Sequence, residues 1–293
     1  MGLSWDKNGI RLGLNMELCD LHTHSIFSDG TCSPKELLIL AKEAGLSAVA
    51  LTDHNTIAGI DFFLEESKNF DIEAIPGVEI SSDYEGTELH ILALCLDNEH
   101  FNGINDFLKI PIKRKEASNK LLAERLIGKG YKVDYDKLKS RNRGSLNRVH
   151  FAIELIKNGY VTSIKEAFDT ILSVKYGLYE EPKRYTAQEV IEFINSINAV
   201  SVLAHPLLTL SKEELIEFLP KAKEYGLMAI ETRYSKYSQE EQSFSTQIAK
   251  EFGLLESGGS DFHGENKPDI KMGVGMGDLQ VPFQFLLKMK NNM

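Results

Sequence analysis

Two histidines at alternate positions, His22 and His24, are the first chemical signal in the sequence. They lie in the segment Asp-Leu-His-Thr-His-Ser, which we interpret as the end of a strand over residues 18–24. Because successive side chains of a strand point to opposite faces, His22 and His24 lie on the same face. Two adjacent imidazoles can bind a metal ion, and Asp29 in the next turn can add a carboxylate. This segment alone does not establish a metal site.

The positions of the other histidines strengthen the prediction of a metal site. Six of the eight histidines stand at the edge of an apolar run, and Glu79 follows another such run. Histidines used for packing or solvation would have no reason to recur at strand ends. The sequence therefore predicts a metal site. The nine candidate ligands are His22, His24, Asp29, His54, Glu79, His90, His205, Asp261 and His263.

The ligand types limit which metal can bind. All nine are imidazoles or carboxylates, and cysteine is absent from the set, which suits Zn²⁺, Mn²⁺ or Fe²⁺ without selecting one of them. Nine ligands are too many for one tetrahedral ion and are better shared among three. Divalent ions about 3.5–4 Å apart can activate a bridging hydroxide and stabilise the charge developing on phosphorus. Hydrolysis of a phosphate ester is the reaction that fits this arrangement best.

Six short motifs, taken together and in the order in which they occur in the chain, resemble the polymerase and histidinol phosphatase (PHP) family of metal-dependent phosphoesterases. The resemblance covers residues 17–265. The motifs are His22-x-His24, Thr52-Asp53-His54, Gly77-Val78-Glu79, His90, His205-Pro206 and Gly259-Ser260-Asp261-Phe262-His263. Within the family, three segments are most similar to the branch that acts on nucleoside 3′,5′-bisphosphates and short RNA ends. They read Asp-Leu-His-Thr-His-Ser, Leu-Ala-His-Pro and Gly-Gly-Ser-Asp-Phe-His-Gly.

The resemblance implies three divalent ions, the first pair of which Glu79 would bridge. A bridge requires a carboxylate, because each ligating imidazole nitrogen has a single lone pair. The implied ligand sets are His22, His24, Glu79 and Asp261 for the first ion, Glu79, His90 and His205 for the second, and Asp29, His54 and His263 for the third.

Strands and helices alternate through most of the chain, and the ligands stand at the strand ends. This alternation predicts an α/β fold with a parallel sheet and right-handed crossovers. Ligands collected at the carboxyl ends of successive strands favour a closed barrel. The resemblance implies a distorted barrel of seven strands. The main predicted strands are 18–24, 48–51, 73–75, 88–95, 200–204, 227–232 and 254–257, and the helices between them are 33–44, 57–69, 187–197, 211–225 and 239–252.

The alternation stops between residues 103 and 184, which we interpret as a small helical insert in the barrel. Helices are predicted over 113–130, 147–158 and 163–172, with Pro111 marking the start or a kink of the first. Residues 103–190 contain 18 Lys and Arg against 11 Asp and Glu, although the whole chain has a net charge of −10. The predicted layout is a barrel of residues 17–102 and 185–265, an insert of 103–184, a leader of 1–16 and a tail of 266–293.

The basic insert contains the candidate substrate-binding residues. Arg148 and His150 lie at the start of a predicted helix. Two interpretations of this pair remain: it binds a phosphate, or it is an ordinary solvated helix end. The RNA-end branch usually has Gly-Arg-Pro-His here, and this chain has Asn-Arg-Val-His. Arg184 is a further candidate, with a plain basic linker as the alternative. Asp53 can orient a ligand imidazole or serve as a turn or helix-capping residue.

The composition is that of a globular protein, with 42% hydrophobic and 26% charged residues. No apolar run reaches the ~18 residues of a membrane helix, and no secretory signal is visible. The three cysteines have no paired spacing, so we expect thiols in a reducing compartment and a cytoplasmic location.

Three functional hypotheses follow from these observations. The first is removal of the 3′-phosphate from a nucleoside 3′,5′-bisphosphate, extending to short RNA 5′ ends. The second is a phosphatase for a small phosphomonoester such as histidinol phosphate, which the basic insert disfavours. The third is a non-catalytic module stabilised by metal, which the large ligand set disfavours, because structural sites usually need one ion. We expect a phosphorylated small molecule or short single-stranded RNA as partner, and no membrane.

Overall fold

Eight strands and ten helices form the part of the chain that the computed structural model describes, residues 17–141 and 146–293. The strands are β1 (Cys19–Asp20), β2 (Ala48–Leu51), β3 (Glu73–Tyr84), β4 (Thr87–Leu94), β5 (Tyr185–Thr186), β6 (Val200–Ala204), β7 (Ala229–Tyr234) and β8 (Leu255–Gly259). The helices are α1 (Pro34–Glu43), α2 (Ile60–Ser67), α3 (Phe101–Gly128), α4 (Tyr135–Arg141), α5 (Arg148–Lys157), α6 (Ile164–Asp169), α7 (Ala187–Ser196), α8 (Lys212–Glu224), α9 (Gln239–Glu251) and α10 (Phe283–Lys290). The predicted leader, residues 1–16, lies outside the described residues.

Seven strands form a nearly closed barrel in the order β1-β2-β3-β4-β6-β7-β8, while β5 pairs with β3 outside this ring. The first and last strands meet along one seam. The Leu21 N–H donates to the Gly258 carbonyl at 3.2 Å, and the Asp261 N–H donates to the His22 carbonyl at 2.8 Å. The predicted α/β fold, a distorted seven-stranded barrel, is confirmed.

The prediction of an all-parallel sheet is wrong for β4, which is antiparallel to both β3 and β6. Glu85 and Gly86 form the whole connection between β3 and β4, with φ angles of 52° and 86°. A two-residue turn of this kind can join only antiparallel strands. The reversal brings the start of β4 to the ligand end of the barrel. His90 therefore stands at the beginning of its apolar run, whereas His205 follows the end of β6.

Capping interactions set the helix boundaries. At α1 the predicted N-cap is confirmed, because the Glu36 N–H donates to Ser33 Oγ at 3.3 Å while the Glu36 carboxylate accepts the Ser33 N–H at 2.6 Å. Helix α2 is shorter than its predicted range of 57–69. The Ala58 N–H donates to the Thr56 hydroxyl at 3.1 Å, and this local turn delays the helix until Ile60.

Helix α3 begins twelve residues before its predicted start at residue 113, and Pro111 lies inside it. A proline cannot donate the backbone hydrogen bond that the carbonyl four residues earlier would accept. Here that carbonyl belongs to Phe107, and it accepts the Tyr185 hydroxyl at 3.3 Å. The hydroxyl replaces the missing backbone donor, so the helix continues through the proline.

Three groups of buried apolar side chains stabilise the fold. One lies between the barrel and its surrounding helices, a second fills the barrel and contacts α10, and a third belongs to the insert. Helix α3 joins the first and third groups, because Leu108 packs in the former and Leu122 in the latter. Within the described residues, none of the helices has both the length and the apolar character that crossing a membrane requires.

Candidate metal centre

All nine predicted ligands meet at one end of the barrel. They come from separate elements, and their imidazole and carboxylate groups form overlapping groups in which the potential ligand atoms lie within 4.8 Å of one another. The positions are His22 and His24 after β1, Asp29 before α1, His54 after β2, Glu79 in β3, His90 in β4, His205 after β6, and Asp261 and His263 after β8.

Glu79 lies at the middle of the cluster and is fully buried. Its two carboxylate oxygens lie within 3.2 Å of nitrogens from five different imidazoles. Oε2 faces the three rings of His22, His24 and His54, and Oε1 faces the two rings of His90 and His205. One carboxylate therefore contacts both of these halves of the cluster. The distances are 3.2 Å to His22, 3.2 Å to His24 and 2.9 Å to His54 from Oε2, and 2.8 Å to His90 and 3.0 Å to His205 from Oε1.

The remaining carboxylates lie on either side of the His24 ring. Asp261 Oδ1 is 3.3 Å from His24 Nε2 and 3.7 Å from His22 Nε2. Asp29 lies 3.2 Å from His263 Nε2 and 3.7 Å from His54 Nε2. Because the groups share members, they form one continuous cluster rather than separate sites. The four groups are His24, Asp29, His54 and His263; His22, Glu79 and His205; His22, His24 and Asp261; and His54, Glu79 and His90.

Several buried atoms of the cluster have lone pairs but no hydrogen-bond partner among the described residues. They are His24 Nδ1, His205 Nδ1 and Glu79 Oε2, the last of which lies near three imidazole nitrogens without hydrogen-bonding geometry to any of them. A buried polar atom without a partner is destabilising by ~1–3 kcal/mol. Divalent cations are the natural partners of imidazole and carboxylate lone pairs, so the residues present fit a metal centre.

The electrostatics of the cluster also favour positive charge. Burial disfavours the Glu79 carboxylate, but the imidazoles of His54, His22 and His90 outweigh burial and hold the pKa of Glu79 well below its ordinary value. Burial likewise lowers the pKa of His90, yet Glu79 dominates and raises it to about 10. Bound cations would supply the same positive charge without protonating the rings.

His263 is held as a neutral imidazole. Burial and the neighbouring His24 lower the pKa of His263 to about 4. Its Nδ1–H donates to the Asp261 carbonyl at 2.8 Å, which leaves the Nε2 lone pair directed towards Asp29. A fixed tautomer of this kind is typical of a metal-binding histidine.

Glu231 is a functional candidate that the sequence reasoning missed. It is fully buried in β7, its Oε1 accepts from His22 Nδ1 at 3.0 Å, and its Oε2 accepts the His205 N–H at 2.6 Å. One carboxylate therefore orients two candidate ligands. The available signal was a lone acid in the apolar segment Ala-Ile-Glu-Thr, since a buried charge requires a partner.

The backbone is strained at two candidate ligands. His205 has a φ of 30° and Asp261 a φ of 56°, in the left-handed region that non-glycine residues rarely adopt. Such strain costs ~1–3 kcal/mol per residue and is concentrated at functional sites. Gly259 allows the close approach of β8 to β1, because a Cβ there would lie 2.3 Å from the His22 Cβ.

Asp53 acts on a loop rather than on an imidazole. Its carboxylate accepts the N–H of Ser25 at 2.7 Å, and the hydroxyls of Ser25 and Ser28 each donate to it at 2.6 Å. These three hydrogen bonds fix the segment between His24 and Asp29. Asp53 thus positions two candidate ligands through the chain that carries them.

Two cavities open beside the ligand cluster. The metal-side cavity, about 140 Å³, is lined by Asp29, His54 and His90 together with Lys115. The insert cavity, about 420 Å³, lies between the barrel and the insert and shares His54 and Lys115 with the first. The described residues that line the insert cavity include five cations: Lys115, Lys139, Arg148, Lys183 and Arg184.

Arg148 is held in place by aromatic rings. Its guanidinium carbon lies 4.3 Å from the ring centroid of Tyr179 and 5.1 Å from that of Phe168. These cation–π contacts use the faces of the rings and leave N–H groups of the guanidinium for an anion. Arg148 is also the first residue of α5, where backbone N–H groups lack helical partners.

The other two predicted substrate-binding residues are engaged elsewhere. His150 Nδ1 accepts the Asn147 N–H at 3.1 Å, and its side chain is not among the described residues that line the insert cavity. Arg184 lines the cavity but donates to Glu88 at 2.6 Å and lies 3.7 Å from Glu181. Arg148 is therefore better placed than either to receive an external anion.

Comparison with known proteins identifies relatives over most of the chain. The PHP domain family model matches residues 20–199. The 5′-3′ exoribonuclease Rnm of Salmonella typhimurium is 32% identical over 258 residues, covering 87% of each chain. The 3′,5′-nucleoside bisphosphate phosphatase of Chromobacterium violaceum is 27% identical over 256 residues, covering 86% of this chain and 90% of that protein.

A solved structure supports the same relationship. A Bifidobacterium adolescentis protein assigned to the metal-dependent phosphoesterases superposes with a TM-score of 0.78 and 28% identity. The superposition covers 93% of this chain and 95% of that one. The likeness therefore includes both the barrel and the insert.

Proposed function

The chain belongs to the PHP family of metal-dependent phosphoesterases, and we propose that it removes the 3′-phosphate of nucleoside 3′,5′-bisphosphates, with short RNA 5′ ends as the wider substrate class. Both kinds of substrate present a 5′-phosphate on one side of a ribose and a phosphate ester on the other. The proposal requires one site that cleaves and a second site that holds an anion.

The observation that carries the proposal is the contact between the ligand cluster and the basic insert cavity. His54 belongs to the cluster and also lines the cavity, so a substrate in the cavity lies beside the candidate ligands. A volume of about 420 Å³ is in the range of cavities that bind small organic ligands. A nucleotide with two phosphates would place one phosphate at the ligand cluster and the other in the insert cavity.

We propose three divalent ions of Zn²⁺, Mn²⁺ or Fe²⁺ at the cluster, held by the nine ligands. Bound ions would supply Lewis-acid stabilisation of the charge that develops on phosphorus. The protein's part is to fix them: Glu79 reaches both halves of the cluster, and Glu231 orients His22 and the backbone of His205. The ions held in this way would bind one phosphate of the substrate for hydrolysis.

The second phosphate would bind Arg148. Its guanidinium is immobilised by Tyr179 and Phe168, so little side-chain entropy is lost when an anion binds. A planar guanidinium matches two phosphate oxygens. Because Arg148 is not among the described residues of the metal-side cavity, it would hold a group other than the one that is hydrolysed.

A phosphatase for small phosphomonoesters remains the second candidate. Such a substrate needs the ligand cluster but not the insert cavity. The size of that cavity, and its five cations against the two carboxylates of Glu88 and Glu116, favour the larger, doubly charged substrate. The free thiols of Cys19, Cys32 and Cys95 support our further proposal of a cytoplasmic location.

Metal analysis and a phosphate-release screen test the proposed function. We expect more than one divalent ion per chain, and loss of activity after chelation while most of the fold persists, because the apolar core is large without the ions. The screen compares phosphate release from nucleoside 3′,5′-bisphosphates, mononucleotides and sugar phosphates, and release of nucleoside 5′-monophosphates from 5′-phosphorylated oligoribonucleotides. Preferred release of the 3′-phosphate supports the proposal, whereas one ion or none in active protein contradicts the multi-metal centre.

A further inference from the structure

Lys115, a residue of the insert helix α3, is positioned beside the ligand cluster. It lines the metal-side cavity together with Asp29, His54 and His90, and among the described residues it is the one ammonium group there. It also lines the insert cavity. A substrate that spans the two cavities must therefore pass this side chain.

Helix α3 fixes where Lys115 stands. On one side of it Leu108 is buried against the barrel, and on the other Leu122 is buried in the insert. Lys115 lies between these two anchors on one continuous helix. The insert thus brings a cation to the centre even though it contributes none of the nine candidate ligands.

The Lys115 ammonium has no protein partner in the described residues, where no carboxylate lies within 4.0 Å of it. Two other cations of the insert cavity are already paired, Lys139 with Glu116 at 2.9 Å and Arg184 with Glu88 at 2.6 Å. The Lys115 side chain is also half-buried. Burial lowers its pKa below the ordinary value, against the opposing charges of Asp29 and Glu88. A half-buried cation without a partner is poorly solvated, and an incoming anion would relieve that cost.

We infer that Lys115 is a further substrate-binding residue, which contacts the phosphoryl group being hydrolysed from the side of the metal-side cavity that the candidate ligands leave open. The inference rests on the proposed function and assigns Lys115 a role different from that of Arg148. Lys115 would act on every phosphate ester that reaches the centre, whereas Arg148 would act only on substrates with a second phosphate.

Binding of inorganic phosphate tests this inference directly, because phosphate is the common part of all the substrates. We would measure phosphate affinity calorimetrically on the metal-loaded full chain for wild type, Lys115→Met and Lys115→Arg. Lys120→Met is the matched control, since Lys120 is exposed on the same helix and lines neither cavity. We expect Lys115→Met to weaken phosphate binding about 10- to 100-fold, the range of a charge-assisted contact, with most of the affinity restored in Lys115→Arg.

Activity measurements separate this role from that of the insert cavity. Lys115→Met should lower kcat/KM by a similar factor on an aryl phosphate and on a 3′,5′-bisphosphate. Unchanged phosphate affinity in Lys115→Met would overturn the inference, and so would a loss of affinity accompanied by loss of bound metal. If wild type binds phosphate through Lys115 but does not hydrolyse bisphosphates, the inference stands and the proposed substrate fails.

Discussion

At the scale of single residues, Glu79 is the group on which the centre depends. Its carboxylate contacts five imidazoles, His22, His24, His54, His90 and His205. The other two carboxylates of the cluster, Asp29 and Asp261, each lie within 4.0 Å of nitrogens from three imidazoles. Removing the Glu79 charge would therefore disturb more than one of the proposed ions.

Glu79→Gln should lower kcat by about 10³-fold or more, as expected for residues that act as a unit. The amide keeps the size of the side chain but loses its negative charge and one acceptor oxygen. Turnover and metal content would be measured beside those of His90→Gln, which removes one ligand from the same cluster. We expect the Glu79 variant to lose more. Near-normal turnover with full metal content would refute its assignment as the bridge.

Glu231→Gln should weaken metal binding about 10- to 100-fold, the usual effect of losing a carboxylate that orients a ligand histidine. The variant keeps the side-chain shape but no longer holds the His22 ring with a charged acceptor. A competitive chelator titration measures the affinity. Glu256→Gln is the control, because that carboxylate lies in the neighbouring strand and accepts from Thr232 and Thr246. Equal metal affinities in the two variants would mean that Glu231 only fills space.

The sequence was sufficient to predict which imidazoles and carboxylates meet in the cluster, but not Glu231, which orients two of them. Candidate ligands such as His54 and His205 follow apolar strands, and that recurrent position is visible without a structure. Glu231 has no such spacing. Its partner His22 is 209 residues away in the chain, so only the closure of the barrel brings the two together.

At the scale of elements, helix α3 links the barrel to the insert. Pro111 would interrupt it, and the Tyr185 hydroxyl supplies the missing donor to the Phe107 carbonyl. The Tyr185 ring also stacks on the Phe107 ring, with centroids 4.2 Å apart. The hydroxyl and the ring can therefore be tested separately.

Tyr185→Phe should lower the free energy of unfolding by about 1 kcal/mol, because it removes the hydrogen bond while keeping the stacked ring. Urea denaturation measures the change, and kcat on an aryl phosphate should stay within about twofold of wild type. A variant as stable as wild type would show that the Phe107 carbonyl finds another donor.

Arg148→Ala should weaken use of a 3′,5′-bisphosphate by about 10- to 100-fold, the value of one charge-assisted contact. Hydrolysis of an aryl phosphate should be almost unchanged, because that substrate does not reach the insert cavity. We would measure kcat/KM for both substrates, with Lys120→Ala as the control, because Lys120 is exposed and lines neither cavity. Equal losses on both substrates would mean that Arg148 supports the fold or the metal centre instead.

The sequence predicted some features of the helices and strands but not others, depending on whether the residues that determine them are close together in the chain. The start of α1 was predictable from Ser33, Pro34 and Glu36, whose capping chemistry is contained in four residues. The direction of β4 was not, because it depends on Glu85 adopting a positive φ beside Gly86. The early start of α3 was also missed, since the donor that rescues Pro111 comes from residue 185.

At the scale of the whole molecule, charge is divided between the two parts of the chain. Residues 103–190 have an excess of Lys and Arg, although the net charge of the chain is −10. This asymmetry is visible in the sequence, and it led to the prediction of a basic insert. It could not predict that the insert cavity and the ligand cluster share His54, because that contact depends on how α3 crosses from the barrel to the insert.

The most direct test of the account compares two substrates that differ by one phosphate. We would measure kcat/KM of the metal-loaded enzyme for a nucleoside 3′,5′-bisphosphate and for the 3′-monophosphate of the same nucleoside. The account predicts a value about 10- to 100-fold higher for the bisphosphate, because only that substrate engages both the ligand cluster and Arg148. Equal values for the two substrates, or a higher value for the monophosphate, would contradict it.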